Sequence, residues 1–285
     1  MHEVELRQLR CLVAIVDEGT FTDAAIALGV SQAAVSRTLA SLEQALGVRL
    51  LRRTSREVAP TGTGLRVVAH ARRVLAEVDD LVRGATSGPA RLRIGYAWSA
   101  LGRHTLAFQR CWREQHPQTE LHLVRVNSAT AGLAEGACDL SVVRRPVDDR
   151  RFDSAIVGLE QRLCAMAADD PLARRRSVRL ADLGGRTLLV DRRTGTTSVE
   201  LWPQESRPAT EETHDVDDWL AAISTGRRIG VTAESTANQY ARPGVVYRPV
   251  SDAEPIAVRL AWWRDGPHPA MQPVIELLVC LYRMG

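Results

Sequence analysis

"LGVSQAAVSR", Leu28 to Arg37, decides how the first part of this chain folds. Gly29 is a helix stop and Ser31 a helix start, separated by one residue. Val35, Leu39, Leu42 and Leu46 then give the second helix a buried stripe, and Gly47 ends it. With Val35 and Leu39 turned inward, Gln32, Ala33, Ser36 and Arg37 face outward near the helix start. A solvated helix face normally carries Glu and Arg, and a core face carries Leu and Ile. This one carries small, amide, hydroxyl and guanidinium groups, which suit a face that must fit into something narrow.

Upstream, Leu6, Leu9, Leu12, Val13 and Val16 recur at helical spacing and predict a first helix over about residues 5–17. Thr20 stands three residues before Asp23, a capping-box pattern, and opens a short helix through Phe21, Ala24, Ala25 and Leu28. Helix, short turn with Gly29, then capped helix is the helix-turn-helix arrangement. The N-terminal end of such a second helix enters the DNA major groove. Bulk clashes there, while amides, hydroxyls and guanidinium groups read base edges, Arg pairing best with guanine and Gln with adenine. The candidate base contacts are therefore Gln32, Ala33, Ser36 and Arg37.

Downstream, "VRLLRRTSREVAPTGTG" predicts a short β-hairpin, a wing, around Thr54-Ser55. Between Gln32 and Arg56 lie five Arg and one acid, Glu43, a net +4, whereas the first 65 residues carry seven of each sign. The charge is placed rather than abundant, the footprint of phosphate binding. Ser31, Arg49, Arg52, Arg53 and Arg56 are the candidate phosphate contacts. Without the helix-turn-helix beside it, such a stripe would read as a solvated basic surface.

Thr61 caps a predicted helix running to about Arg83. Its residues Val67, Ala71, Val74, Val78 and Leu81 step by four and three, a narrow seam that fits a helix–helix dimer contact; the alternative is an amphipathic helix on its own domain. "GATSGPA", residues 84–90, is a hinge by composition. Beyond it strands and helices alternate. "RLRIGY", "ELHLVRV" and "DLSVV" are strands, with a helix from about Ser99 to Gln115 and a short one ending at Gly136. The alternation restarts near Leu163 with "RTLLV", the helix "VDDWLAAIS", "RIGVT", a strand over residues 245–250, and a closing helix over residues 269–284. This pattern predicts a parallel sheet.

The 285-residue chain has the 45% hydrophobic and 25% charged content of a globular protein. It has no run of eighteen apolar residues and no secretory h-region, so a cytoplasmic protein without a membrane span is expected. Its five cysteines are scattered, which argues against a disulfide framework or zinc site. All 37 basic residues are Arg, so there is no P-loop lysine and no Schiff-base lysine. GxSxG and HExxH are absent. "HDVDD", residues 214–218, reads as a helix cap with first-turn acids rather than a metal cluster. "TGTG", residues 61–64, follows no β-α-β strand and is no dinucleotide loop. No enzyme, cofactor or metal is expected.

The stretch "LRQLRCLVAIVDEGTFTDAAIALGVSQAAVSRTLASLEQALGVRLLRR" resembles the DNA-binding domain of the LysR-type transcriptional regulators, and the layout downstream is similar along the whole chain. One departure is Leu51, where that family usually has Phe; Leu can fill such a core site. The resemblance implies an α/β protein in which a mainly α, winged helix-turn-helix domain (1–60) precedes a pairing helix (61–83), a hinge (84–90) and an effector domain (91–285). That last domain is expected to look like periplasmic solute-binding proteins, with residues 91–160 and 265–285 in one subdomain and 161–264 in the other. A small-molecule effector would lie between them, at strand C-termini and near helix N-termini. By position the resemblance implies effector contacts at Trp98, Ser99, Ala100, Ser128, Thr130, Arg144 (beside Arg145), Arg193, Thr196, Thr197, Gly226 and Thr232. Trp98 is either a stacking surface or a hydrophobic closure. Arg144 and Arg193 either clamp a carboxylate or form ion pairs. Thr196 and Thr197 either offer hydroxyls to a ligand or cap a helix. Some relatives sense oxidants through a cysteine pair in the second subdomain, where this chain has only Cys164. The resemblance also implies homodimers, dimers of dimers, double-stranded DNA and RNA polymerase as partners. The competing reading is a small-molecule-binding module whose helical N-terminus serves protein assembly.

Overall fold

The computed structural model describes residues 4–53, 58–85 and 90–284. It divides into two compact units, Met1–Arg91 with Ala134–Ala137, and Leu92–Leu133 with Cys138–Gly285.

The first unit is helical. In chain order it holds α1 (Leu6–Glu18), α2 (Phe21–Leu28), α3 (Gln32–Leu46), β1 (Leu51–Arg53), β2 (Val58–Pro60) and α4 (Gly62–Ala85). Each predicted stop and start is present. The Thr20 and Ser31 hydroxyls accept from the backbone N–H of Asp23 and Ala34. Gly29 is left-handed at φ 66°, and the Val30 N–H closes back onto the Ala25 carbonyl at 3.0 Å. That wrapped turn leaves α2 and α3 bent by 102°, within the range of helix-turn-helix pairs. Leu12, Ile15, Ala24, Val35, Leu39, Leu42 and Leu50 form the core, and α4 adds Val68. Leu51 is buried in the same core, filling the site as a smaller side chain.

β1 and β2 pair antiparallel, Leu51 opposite Pro60 and Arg53 opposite Val58. The wing tip, residues 54–57, lies outside the described residues, and Arg56 with it; of Arg53 only the backbone is described. Glu43, the one acid of the basic stretch, accepts from the backbone N–H of Leu50 (2.7 Å) and Leu51 (3.2 Å), fixing where the wing begins. A Cβ on Gly64 would lie 1.9 Å from the Leu50 carbonyl oxygen, so α4 can start against the wing only with glycine there.

Two expectations for α4 change. The helix runs through Gly84 and Ala85, the first two residues of the expected hinge, while residues 86–89 lie outside the described residues and Ala90 opens a strand. The five-residue seam is also divided. Ala71 is buried and Val67 packs on the core, because α4 begins packed on α1 and β2; Val74 and Leu81 are exposed and Val78 is half-buried. Ala71 is therefore not free for a second chain.

The second unit has two five-stranded sheets. The first lobe contains β3 (Ala90–Tyr96), α5 (Thr105–Gln115), β4 (Thr119–Arg125), β5 (Leu140–Val143) and β6 (Phe152–Glu160). The second contains β7 (Arg162–Ala167), α6 (Leu180–Leu183), β8 (Thr187–Val190), β9 (Ala209–Glu212), α7 (Val216–Ser224), β10 (Arg228–Ala233), α8 (Glu234–Gln239) and β11 (Val245–Pro249). The chain then returns to the first lobe for β12 (Ile256–Trp263) and α9 (Met271–Met284). Strand orders are β4-β3-β5-β12-β6 and β11-β7-β10-β8-β9.

The expected parallel sheet is corrected to two mixed sheets. β3–β5, β8–β9 and β8–β10 are parallel, while β12 runs antiparallel to β5 and β6, and β7 antiparallel to β10 and β11. β12 belongs to the first sheet, so the second lobe ends before residue 256 rather than at 264. The short helix expected to end at Gly136 is a run of turns, since Ala131 (φ 51°) and Gly132 (φ 94°) are left-handed. The helix expected from Ser99 starts only at Thr105, after a 3-10 turn at Gly102–His104. The second sheet is covered on both faces. Cys164, Met166, Leu188 and Val190 enter one core, and Ala165 and Leu189 enter the other with Trp219. This explains its continuous apolar strands.

Candidate functional site

The first site is the leading face of α3. Gln32, Ala33 and Arg37 are exposed and Ser36 is half-buried beside them, while Val35 and Leu39 hold the opposite face in the core. The Ser31 hydroxyl oxygen caps the helix from an exposed position at its positive end. Arg49 and Arg52 are exposed before and on the wing. Pairing alternation puts Leu51 in the core and Arg52 outside.

The second site is the cleft between the lobes of the second unit. Its walls are the segments leaving the C-terminal ends of β3, β5, β8 and β10, where open α/β sheets bind ligands. Ala97, Trp98 and Ser99 face Asp191 and residues 194–197, with Ser128, Val143 and Thr232 around them. The inner cavity is about 50 Å³ and opens onto an outer groove of about 510 Å³ at Arg145, Asp191, Thr196 and Thr197. Trp219 forms the floor. Its indole lies flat enough on β10 that a Cβ at Gly230 would meet Cζ2 at 2.0 Å, and its Nε1 donates to the Leu189 carbonyl at 3.3 Å.

A buried ion pair organises the first-lobe side. Arg144 donates twice to Glu160, each at 2.9 Å, and also to the carbonyls of Ser99 (2.8 Å) and Ala100 (2.7 Å). Ser235 and Tyr282 donate to the same carboxylate at 2.7 and 2.8 Å. Since Ser235 donates to Glu160, the Ser99 hydroxyl must donate to Ser235, across 2.8 Å between the lobes. Burial pushes the Glu160 carboxyl up, but the Arg144 charge and these hydrogen bonds outweigh it and hold the group below the usual range. Burial and the neighbouring carboxylate push the Tyr282 hydroxyl far up.

Residues 85–281 match the family described as the LysR substrate binding domain, and residues 6–65 match the bacterial regulatory helix-turn-helix protein, lysR family. The chain belongs to the LysR family. The regulator BenM of Acinetobacter baylyi is 32% identical over 194 residues, 66% of this chain and 64% of that one. The chain spans about three fifths of the length of the first relatives it matches. A small neutral protease regulatory protein of Streptomyces coelicolor is 32% identical over 97% of this chain and 92% of that one. The solved structure of CbnR, a LysR family transcriptional regulator, shares the fold at TM-score 0.71 and 19% identity, covering 99% of each chain.

Within this LysR-family chain the cleft gathers six of the eleven expected effector residues with Arg144 as a seventh: Trp98, Ser99, Ser128, Thr196, Thr197 and Thr232. Arg144 lines the cleft but cannot clamp a carboxylate, because its guanidinium is already committed to Glu160 and two carbonyls. Arg193 does not line the cleft; it is about half-exposed, its Nε is 4.0 Å from Asp191 Oδ1 in a long ion pair, and it donates to the His214 carbonyl at 3.3 Å. Ala100 is buried with its N–H on Gln239, Thr130 lies beyond the cleft wall, and Gly226 is the left-handed turn after α7. Thr197 is buried and donates to the Val231 carbonyl, so it is a packing group at the cleft edge. Asp215 caps α7 through the Asp217 N–H at 2.7 Å, as the acids of "HDVDD" suggested. Cys164 is buried, and burial pushes its thiol up to about 12, which leaves little thiolate for oxidant sensing.

Sequence reasoning missed Asp191, Thr194, Glu160 and Ser235. Asp191 had a signal, as the first residue beyond the "TLLV" strand of an α/β lobe. Glu160 had none, since its partners lie 16, 75 and 122 residues away in the chain.

Proposed function

We propose that this chain is a sequence-specific DNA-binding regulator of transcription whose activity is set by a small molecule bound in the cleft of the second unit. The carrying observation is the α2–α3 pair, bent by 102°, that exposes Gln32, Ala33 and Arg37 at the N-terminal end of a capped helix. That end, followed by an Arg-bearing hairpin, has the chemistry of major-groove reading with phosphate anchoring. The match of residues 6–65 to the lysR helix-turn-helix supports the reading. The exposed upper part of α4, with Val74 and Leu81, is the pairing surface for a second chain, and dimers of dimers on partly palindromic sites follow from the family. RNA polymerase is the further partner, and the cytoplasm the place of action. No described helix is long and apolar enough to cross a membrane.

Fluorescence anisotropy on DNA upstream of the chain's own gene, against scrambled DNA across a salt series, tests this. Selective binding that weakens steeply with salt is expected. Absence of even the non-specific, salt-sensitive component would favour a protein-assembly role for the helical N-terminus.

A further inference from the structure

We propose that the Trp98 side chain occupies the ligand's own place in the closed cleft, and that the effector is a flat aromatic ring bearing an N–H or O–H donor for Asp191. The inference rests on the cleft being the effector site.

Trp98 reaches across from the first lobe, and its Nε1, the ring's one donor, lies 2.9 Å from Asp191 Oδ2 in the second. Its edge meets the Trp219 ring at 5.4 Å between centroids and 72° between planes. The remaining cavity of about 50 Å³ holds a few waters, whereas a benzene ring fills one of about 150 Å³. An aromatic ligand therefore passes from the outer groove into the inner cavity, between Trp98 and Trp219, only if a side chain leaves. Trp219 is fully buried, wedged on Gly230 and tied to Leu189. Arg144 is locked in its ion pair. Trp98 is half-buried in the loop after β3, and its backbone is held separately, by the Tyr240 hydroxyl donating to its carbonyl at 2.7 Å. The ring can swing while the loop stays.

What the ring vacates sets the ligand's chemistry. The Asp191 side chain is 0% exposed. It accepts from the backbone N–H groups of Arg193 and Thr194, from the Thr194 hydroxyl and from Trp98. Once Trp98 leaves, Oδ2 keeps the Thr194 hydroxyl but loses the indole N–H, and a ligand without a donor leaves that second hydrogen bond unreplaced. A carboxylate ligand brings an acceptor to an acceptor. Of the wall arginines, Arg144 is held by Glu160, and Arg145 gives one N–H to the Arg192 carbonyl at 2.7 Å. At Asp191 the place of the Trp98 ring thus favours a donor-bearing ring over an acidic one.

Isothermal titration of the full-length protein with indole, 1-methylindole, benzamide and benzoate tests this, with wild type and Trp98→Phe side by side. Indole is expected to bind at least tenfold tighter than 1-methylindole, and benzamide tighter than benzoate. Trp98→Phe, which keeps the ring but has no bond to Asp191 to break, is expected to bind indole at least tenfold tighter than wild type. Equal binding of indole and 1-methylindole, or unchanged indole affinity in Trp98→Phe, overturns the proposal. Tighter benzoate than benzamide overturns it too, but leaves the cleft standing as an effector site. No saturable binding of any of the four to either protein overturns the ligand class, and DNA binding by the same preparation shows whether the regulator reading falls with it.

Discussion

Arg144 and Glu160 form a two-point ion pair, 2.9 Å at each contact, with side chains only 9% and 5% exposed. The pair sits where the chain leaves the first lobe, because Glu160 is the last residue of β6 and β7 begins at Arg162. Through Ser235 the same carboxylate holds the start of α8 in the second lobe, and through Tyr282 it holds α9 in the first. Glu160→Gln keeps the shape and removes the charge, leaving a buried guanidinium without its counterion. Loss of about 3–5 kcal/mol is expected for breaking such a pair from one side, measured by urea denaturation. The double variant Arg144→Met/Glu160→Leu should lose less, because no buried charge is left alone. A single variant as stable as wild type would show that the pair does not hold the lobes.

The same group makes stability depend on acid. A carboxyl held below its ordinary value contributes stability that is full above about 4.3 and is lost as pH falls through the folded value. His104 acts in a higher window. Burial first, and the Arg103 charge second, hold its imidazole below the ordinary value of about 6.5. The unfolded chain therefore binds more protons just below that pH, and stability falls there. Urea midpoints should drop in two stages, below about 6.5 and again below about 4.3. His104→Gln should remove the first stage alone; a first stage that persists in that variant rules out His104 as its source.

Arg37→Ala is expected to cost about 1–3 kcal/mol in DNA affinity, the scale of a lost bidentate base contact, and to relax sequence preference. Arg52→Ala should instead weaken binding to all sequences alike and lower the salt slope by about one. Anisotropy titrations on specific and scrambled duplexes separate the two. An Arg37→Ala protein that binds as selectively as wild type would remove Arg37 from the reading surface.

Val74 is 43% exposed on α4 and Leu81 is 70% exposed one seam step beyond Val78. Val74→Glu places a charge in that strip without touching the buried Ala71, so it should split dimers and leave the helix folded. Sedimentation velocity reads the result, and a Val74→Glu protein that still sediments as a dimer moves the pairing surface elsewhere.

The sequence by itself determined the local frame of this LysR-family chain. Thr20, Gly29, Ser31, Gly47 and Thr61 mark helix ends through contacts spanning three to five residues, and all act as their residue types dictate. The apolar stripe of α3 likewise fixed which side chains of "LGVSQAAVSR" remain outside, because helical periodicity is a property of the local chain. Tertiary structure decided what nonlocal pairing controls. β12 joins the first sheet although the strand before it, β11, lies in the second, since its antiparallel register with β5 and β6 completes that sheet's core. Ala71 is buried and Val74 is not, though both fit the same seam, because only packing says where α4 leaves the core. The role of an arginine is the least local property of all. A guanidinium takes whichever carboxylate the fold brings within reach, so Arg144 found Glu160 in the interior, while the half-exposed Arg193 reaches Asp191 only at 4.0 Å.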